Sequence, residues 1–185
     1  FIFGTVLGGL SDRFGRRPVL LISLVVMTAD FLVMAMVSSI WLLLIGRLVG
    51  GITAATQSTA AAYMADISKP EKKAANFGLI GAAFGMGFVI GPLIGGFLAE
   101  YGTRAPFYAA AILAALNAAF GWVILTETVT DRIRRPFSWS RANPVGTLRI
   151  LGKLPTIGPL LLVYFLYQMA FTVYPAVWSY FGQER

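Results

Sequence analysis

The stretch GGLSDRFGRRPVL at residues 8–20 places a short basic connection between two apolar runs. Gly8 permits two helices to approach closely. Gly15 can supply a turn, because glycine adopts backbone conformations that other residues avoid. Asp12 can accept hydrogen bonds or pair with a cation. The stretch therefore predicts two helices joined by a tight, charged turn.

The composition is that of a membrane protein. Of the 185 residues, 57% are hydrophobic and 12% are charged, with a mean hydropathy of +0.75. A soluble domain has about 25% charged residues, so this chain cannot cover itself with a polar surface. The 20 glycines and 14 phenylalanines suit helices that pack closely in lipid.

The sequence contains little material for enzyme chemistry. It has no cysteine and no histidine, and only eight carboxylates. A disulfide framework, a cysteine-ligated zinc site and a nucleophile activated by histidine are therefore excluded within this chain. No phosphate-binding loop of the G-x-x-x-x-G-K-[S/T] type occurs. We expect neither an enzyme nor direct coupling to ATP.

Apolar runs of helical length follow one another along the chain. A membrane core about 30 Å thick needs about 20 apolar residues per helix. Because residue 1 already lies in such a run, we expect the chain to be an internal fragment of a longer protein. The predicted spans are residues 19–37, 41–63, 77–99, 106–125 and 157–181, and residues 1–10 form the end of another.

The 15 basic residues are concentrated in alternate connections. Residues 11–18 and 66–76 hold three each and residues 126–156 hold six, which makes 12 of the 15. The positive-inside rule predicts that these three loops are cytoplasmic. The net charge of +7 then indicates topology in a bacterial inner membrane and not nucleic-acid binding.

The polar stretch 126–156 divides the chain. It contains Pro136, Pro144 and Pro155 and predicts a cytoplasmic central linker with short helical pieces near the membrane surface. Residues 1–125 are then an N-terminal helix bundle. Residues 157–185 carry the first helix of a second bundle.

Three segments together resemble the major facilitator superfamily. The spacing of residues 8–20 resembles the loop signature between its second and third helices, and Arg47-x-x-x-Gly51 resembles its intramembrane arginine motif. A glycine-rich segment of the fifth helix resembles the motif typical of drug/proton antiporters. Taken alone, the glycine spacing favours a packing ridge between helices. Its residues are Gly87, Gly91, Pro92, Gly95 and Gly96.

Longer segments resemble the tetracycline efflux branch of that superfamily. They include SDRFGRRPVLL at 11–21, GRLVGGITAAT at 46–56 and FGLIGAAFGMGFVIGPLIGG at 77–96. The chain departs from that branch at Thr172, where those exporters carry a second glutamine, and at Pro175, which lies one residue later.

The resemblance implies an all-α membrane protein with two six-helix bundles and alternating access. This chain would supply part of helix 2 through helix 7. The implied function is secondary active efflux of small amphipathic compounds, tetracycline-like drugs among them, by a monomer. A proton would be the coupling ion, with no cofactor and no metal. The expected partners are the substrate, the proton and the lipid bilayer.

Asp30 and Arg47 are charged residues within predicted spans. Counted at about 1.5 Å per residue, the two lie within about 5 Å of the same membrane depth on neighbouring antiparallel helices. A salt bridge or a water-linked pair is possible there. Either the pair is a permanent feature of the fold, or protonation of Asp30 biases which face of the transporter is open, with Arg47 tuning it.

Asp66 ends the fourth helix beside three lysines. It is either a solvated loop carboxylate or a gate partner for the arginines of the first loop. The hypothesis of a cytoplasmic gate motif includes Gly8, Asp12, Arg13, Gly15, Arg16, Arg17 and Asp66.

The last span presents Tyr164, Gln168, Phe171 and Pro175 at helical spacing on one face. This face is either aromatic packing or a contact surface for substrate. In the second case Gln168 hydrogen-bonds the ligand, and Tyr164, Phe171 and Thr172 complete the contact.

Two other functions remain as alternatives. An uptake permease for another small solute is disfavoured by the Gly91-Pro92 motif. A membrane receptor or scaffold that transports nothing is disfavoured by Asp30 and Arg47, because a scaffold would tolerate apolar residues at those positions.

Overall fold

The computed structural model describes residues 2–53, 56–130 and 157–181. The chain divides into two units, Phe1–Ala142 and Asn143–Arg185. Most of the predicted central linker, residues 131–156, lies outside the described residues, so the domain boundaries stay a prediction.

The described part of the chain is helical and contains no strand, which confirms the all-α prediction there. The ends of the predicted apolar runs lie within four residues of helix ends in the described residues, as is usual where polar residues continue the backbone hydrogen bonding. The first unit contains α1 (Ile2–Phe14), α2 (Arg16–Met36), α3 (Ile40–Thr53), α4 (Thr56–Ile67), a short 3₁₀ turn (Pro70–Lys72), α5 (Lys73–Ala99) and α6 (Ala105–Ile124); the second contains α7 (Ile157–Phe181).

Four stretches in the described residues are long and apolar enough to cross a membrane. They have 20 to 30 residues, against about 20 needed for a hydrocarbon core. The α7 helix contains a shorter apolar stretch, Gly158–Val173. The four stretches are Arg16–Met36, Ile40–Ile67, Pro70–Ala99 and Ala105–Ile124.

Helix α2 is the centre of the first unit and packs most extensively on α6, with α3, α4 and α1 also against it. Gly121 on α6 lies at this contact, where a β-carbon built on it would be in ordinary van der Waals contact with Cδ2 of Leu21, at 3.4 Å. Ala111 and Ala114 are buried on the same helix, while Leu20 and Leu21 are buried on α2. Small residues thus bring α2 and α6 together, as is usual for helices in lipid.

The turn between α1 and α2 depends on Gly15. Its φ of 108° lies in the left-handed region, which side-chain-bearing residues rarely adopt. The predicted turn is therefore confirmed, and α2 begins at the next residue, Arg16. This geometry points the first backbone N–H groups of α2 toward the segment that follows α6.

Candidate functional site

The α1–α2 turn gathers polar side chains around Arg16. Nε of Arg16 donates a hydrogen bond of 3.1 Å to Oδ2 of Asp66, and the guanidinium also pairs with Asp12. Nη1 donates to Oγ of Ser11 at 2.7 Å, and that hydroxyl donates to the carbonyl oxygen of Gly8. With only 13% of its side chain exposed, Arg16 links the α1–α2 turn to the end of α4.

Glu127, the third residue after α6, caps the N-terminus of α2. Its Oε1 accepts the backbone N–H of Arg16 at 2.9 Å, and its Oε2 accepts that of Arg17 at 3.3 Å. The first N–H groups of a helix lack partners within the helix, and the N-terminal dipole favours a negative charge. The cap that α2 needs therefore comes from a residue more than a hundred positions away in sequence.

Glu127 lies within the predicted linker 126–156, and its role as a cap was not predicted. Its Oε1 also accepts the N–H groups of Thr128 and Val129, each at 2.9 Å, which fixes the carboxylate in place. One signal was available: within the basic stretch 126–156, only Glu127 and Asp131 are acidic. An isolated acid directly after an apolar span is a candidate for a helix cap.

The closeness of Glu127 is a second reason, besides the positive φ, for glycine at position 15. A β-carbon built on Gly15 would overlap the carboxylate of Glu127, whose Cδ lies 2.7 Å from that position. The backbone conformation and the close approach therefore select glycine independently. By contrast, no described atom lies within 4 Å of a β-carbon built on Gly8, which takes part through its carbonyl oxygen.

The other two arginines of the turn have different surroundings. Arg17 donates through Nη2 to the carbonyl oxygen of Trp122 at 2.8 Å, and its guanidinium carbon lies 5.6 Å from the centre of that ring. Arg13 lies 5.2 Å from the ring centre of its neighbour Phe14. Within the described residues only Arg16 forms ion pairs, so the three arginines are not equivalent.

Asp66 has both an ion-pair partner and a hydroxyl partner. Besides Arg16, its Oδ2 accepts the hydroxyl of Thr128 at 3.1 Å. Nearby, the hydroxyl oxygen of Tyr63 accepts the backbone N–H of Thr126 at 3.3 Å. The α1–α2 turn, the end of α4 and the segment after α6 thus meet at one place. We call it the arginine cluster: Asp12, Arg16, Arg17, Asp66 and Glu127.

Asp30 lies apart from the arginine cluster, at the contact between α2 and α3. It is 9% exposed, and its Oδ1 accepts no hydrogen bond from a described residue. The carboxylate faces Gly46 and Gly50, which are one turn apart on α3. Arg47 is exposed and forms no ion pair with Asp30 in the described part of the chain. The direct salt bridge considered above is therefore not observed.

The glycines of the antiporter motif lie on one long helix. Helix α5 continues through Pro92, although proline removes a hydrogen-bond donor. No described atom lies within 4 Å of a β-carbon built on Gly87, Gly91, Gly95 or Gly96. Within the described residues these glycines do not pack against another helix, and their predicted role stays a prediction.

The predicted substrate-contact residues lie on α7, in the second unit. The hydroxyl of Thr172 donates to the carbonyl oxygen of Gln168 at 2.8 Å within the helix. Tyr164 is 62% exposed and Phe171 is 46% exposed, and the Phe171 ring stacks on Tyr167 with ring centres 6.2 Å apart. These contacts are all made within α7, and a role of this face in substrate binding stays a prediction.

No group of three or more acidic, histidine or cysteine side chains in the described residues is arranged to hold a metal ion. The charged side chains instead form an ion-pair cluster at one end of several apolar helices and one carboxylate between two of them. Such an arrangement defines a polytopic membrane protein with charge-based contacts between its helices.

The chain belongs to the Major Facilitator Superfamily, whose family model matches residues 1–184. It is 44% identical to the class C tetracycline resistance protein of Escherichia coli and 39% identical to the class E protein of the same organism. Both matches cover 100% of this chain, but 46% and 45% of the respective relatives. The chain thus spans about half the length of these relatives.

A solved structure supports the same assignment. The human organic anion transporter MFSD10 (TETRAN) is similar with a TM-score of 0.73 and 30% sequence identity. The match covers 83% of this chain and 37% of the human protein. The prediction of a major facilitator fold fragment, similar to tetracycline resistance proteins, is confirmed.

Proposed function

We propose that the full-length protein is a proton-driven exporter of small amphipathic compounds in a bacterial inner membrane. Tetracycline-like drugs are the first candidates for its substrate. Membership of the Major Facilitator Superfamily supports transport, and similarity to proteins named for tetracycline resistance supports drug efflux. Alternating access is the mechanism expected of two helix bundles with a site between them.

The observation that carries the proposal is the link that Arg16 makes between Asp12 and Asp66. It joins the α1–α2 turn to the end of α4, on the face predicted to be cytoplasmic. Ion pairs that are only partly buried are modest in energy and can be broken and re-formed. The arginine cluster therefore acts as a latch on the cytoplasmic ends of the helices in one state of the transport cycle.

Glu127 extends the latch to the segment after α6. Its bonds to the N–H groups of Arg16 and Arg17 fix this segment to the start of α2. A rotation of α2 must either break these bonds or carry α6 with it. We propose that the second occurs, because the cap and the extensive α2–α6 packing act on the same pair of elements.

Asp30 is the candidate for proton coupling. Burying an ionised carboxylate in an apolar contact between helices costs free energy unless a cation or water solvates it. A change in its protonation therefore changes the relative stability of the conformations that enclose or expose it. Arg47, on the facing helix, tunes that change through its charge.

The test is expression of the full-length gene in a drug-sensitive bacterial strain. Tetracycline and a panel of unrelated drugs are compared with an empty vector, with and without a protonophore. We expect resistance to at least one compound, and a rise in its accumulation when the proton gradient is collapsed. No energy-dependent efflux of any compound would contradict export, and gradient-dependent accumulation would favour uptake instead.

A further inference from the structure

The contact between α2 and α3 contains a buried carboxylate, that of Asp30. Only 9% of Asp30 is exposed, and no described residue donates a hydrogen bond to its Oδ1. A β-carbon built on Gly46 would lie 3.0 Å from Oδ1, and one built on Gly50 would lie 2.8 Å from Oδ2. Each oxygen therefore rests against a different glycine of α3.

The two glycines lie four residues apart, so they share one face of α3. Helices in lipid approach closely where small residues replace side chains, and the backbone itself then becomes the contact surface. Gly51, the next residue along, has no described atom within 4 Å of a built β-carbon. The close contact is therefore specific to positions 46 and 50 and is not a general property of the glycines in this helix.

We propose that Gly46 and Gly50 are positioning residues that hold the Asp30 carboxyl group at the α2–α3 contact. We call this pair the Asp30 seat. The inference rests on the proposed function in one respect: the seat matters for transport only if Asp30 couples the proton. A methyl group at position 50 must displace the carboxyl group, because a contact of 2.8 Å leaves no room for it, whereas one at position 46, at 3.0 Å, requires a smaller shift.

The seat replaces chemical recognition by shape. Arg16 and Glu127 fix their partners with donors and acceptors, whereas Oδ1 of Asp30 receives no hydrogen bond from a described residue and lies close to glycine on α3. At Oδ1 a proton can be gained or lost without the rearrangement of a donor. This property suits a group that must titrate repeatedly at one place.

The experiment compares three variants of the full-length transporter purified in detergent: Gly46→Ala, Gly50→Ala and the control Gly51→Ala. A hydrophobic carbodiimide is added at one pH, and labelling of Asp30 is followed by peptide mass spectrometry. Asp30→Asn provides the unlabelled background. We expect the labelling rate of Asp30 to rise roughly fivefold in Gly50→Ala and by a smaller factor in Gly46→Ala, because the displaced carboxyl group becomes accessible. Gly51→Ala should stay close to the wild type.

A double-variant cycle covers the case in which the methyl group prevents folding. Asp30→Ala removes the carboxyl group that Gly50→Ala would overlap, so the double variant should melt at least about 3 °C above Gly50→Ala alone. Asp30→Ala combined with Gly51→Ala should show no such recovery. Equal labelling of the Gly50→Ala and Gly51→Ala proteins, or a double variant with no recovery, would overturn the seat.

Transport kinetics connect the seat to function. In Gly50→Ala we expect the turnover number to fall about tenfold while KM changes by less than about twofold, since a displaced Asp30 impairs the coupling step and leaves substrate binding intact. A rise in KM alone would overturn the positioning role. Labelling and melting do not require transport, so the seat can be established even if the exporter hypothesis fails.

Discussion

Glu127 and Asp30 are both carboxylates at contacts made by α2, but they are held in opposite ways. Glu127 accepts four backbone N–H groups, from Arg16, Arg17, Thr128 and Val129, and its residue is exposed. Asp30 is buried and rests against glycine, with Oδ1 unpaired among the described residues. The first carboxylate is fixed by hydrogen bonds and the second by shape.

This difference separates two kinds of residue in one bundle. A carboxylate with many donors stabilises a particular arrangement of helix ends, and its loss weakens that arrangement. A buried carboxylate with an unpaired oxygen is costly when it is ionised, so its protonation responds strongly to its surroundings. We therefore expect substitutions in the arginine cluster to affect stability and gating, and substitution of Asp30 to affect coupling.

The largest expected effect is the loss of coupling in Asp30→Asn. Asparagine has nearly the same shape, so it fits the Asp30 seat but cannot carry the charge. Proton-driven drug transport in everted membrane vesicles should fall by about two orders of magnitude if this group biases the two conformations. The melting midpoint of the purified protein should change little. Intact proton-coupled efflux would remove Asp30 from the mechanism.

The second largest expected effect is a loss of stability on substitution of Gly15, which lies against the carboxylate of Glu127. Gly15→Ala should lower the free energy of unfolding by about 2–4 kcal/mol, because both the backbone conformation and the overlap with the carboxylate are unfavourable. Gly102→Ala is the control: its φ is 127°, but no described atom lies within 4 Å of the built β-carbon. It should cost only about 1–2 kcal/mol. Equal losses in detergent melting would show that the close approach of Glu127 is unimportant.

The third prediction tests whether the arginines of the turn differ. Arg16→Ala leaves Asp12 and Asp66 without their cation and should reduce drug efflux about tenfold, or about 1.4 kcal/mol. Arg13→Ala should give a smaller loss of about twofold, since exposed charges outside ion pairs contribute little. Efflux rates at matched expression levels provide the measurement. A charge exchange, Arg16→Asp with Asp66→Arg, should recover part of the activity, and equal losses in the two alanine variants would contradict the latch.

The smallest expected effect is that of Glu127→Gln. The amide keeps one acceptor oxygen but loses the charge that complements the helix dipole, so the cost should be about 0.5–1 kcal/mol. Glu71→Gln, in the 3₁₀ turn, provides a control at an exposed carboxylate. Melting midpoints of the two purified variants make the comparison. If both variants melt alike, the cap on α2 has no measurable role.

The sequence alone determined the class of structure, because a membrane imposes strong and local rules. Apolar runs of helical length predicted α2, α5 and α6, and the spacing of residues 8–20 predicted the turn at Gly15. Motif resemblance predicted the superfamily, which the family comparison confirms. These features depend on neighbouring residues, so periodicity and composition are sufficient to predict them.

Only the tertiary structure decided which distant residues meet. It selected Arg16 among three arginines as the partner of Asp66, and it brought Glu127 across more than a hundred residues to the start of α2. It also placed Asp30 against Gly46 and Gly50 and not in an ion pair with Arg47. Membrane depth can be counted along a helix, but rotation about its axis is set by packing against other helices. That rotation decides which side chains face each other.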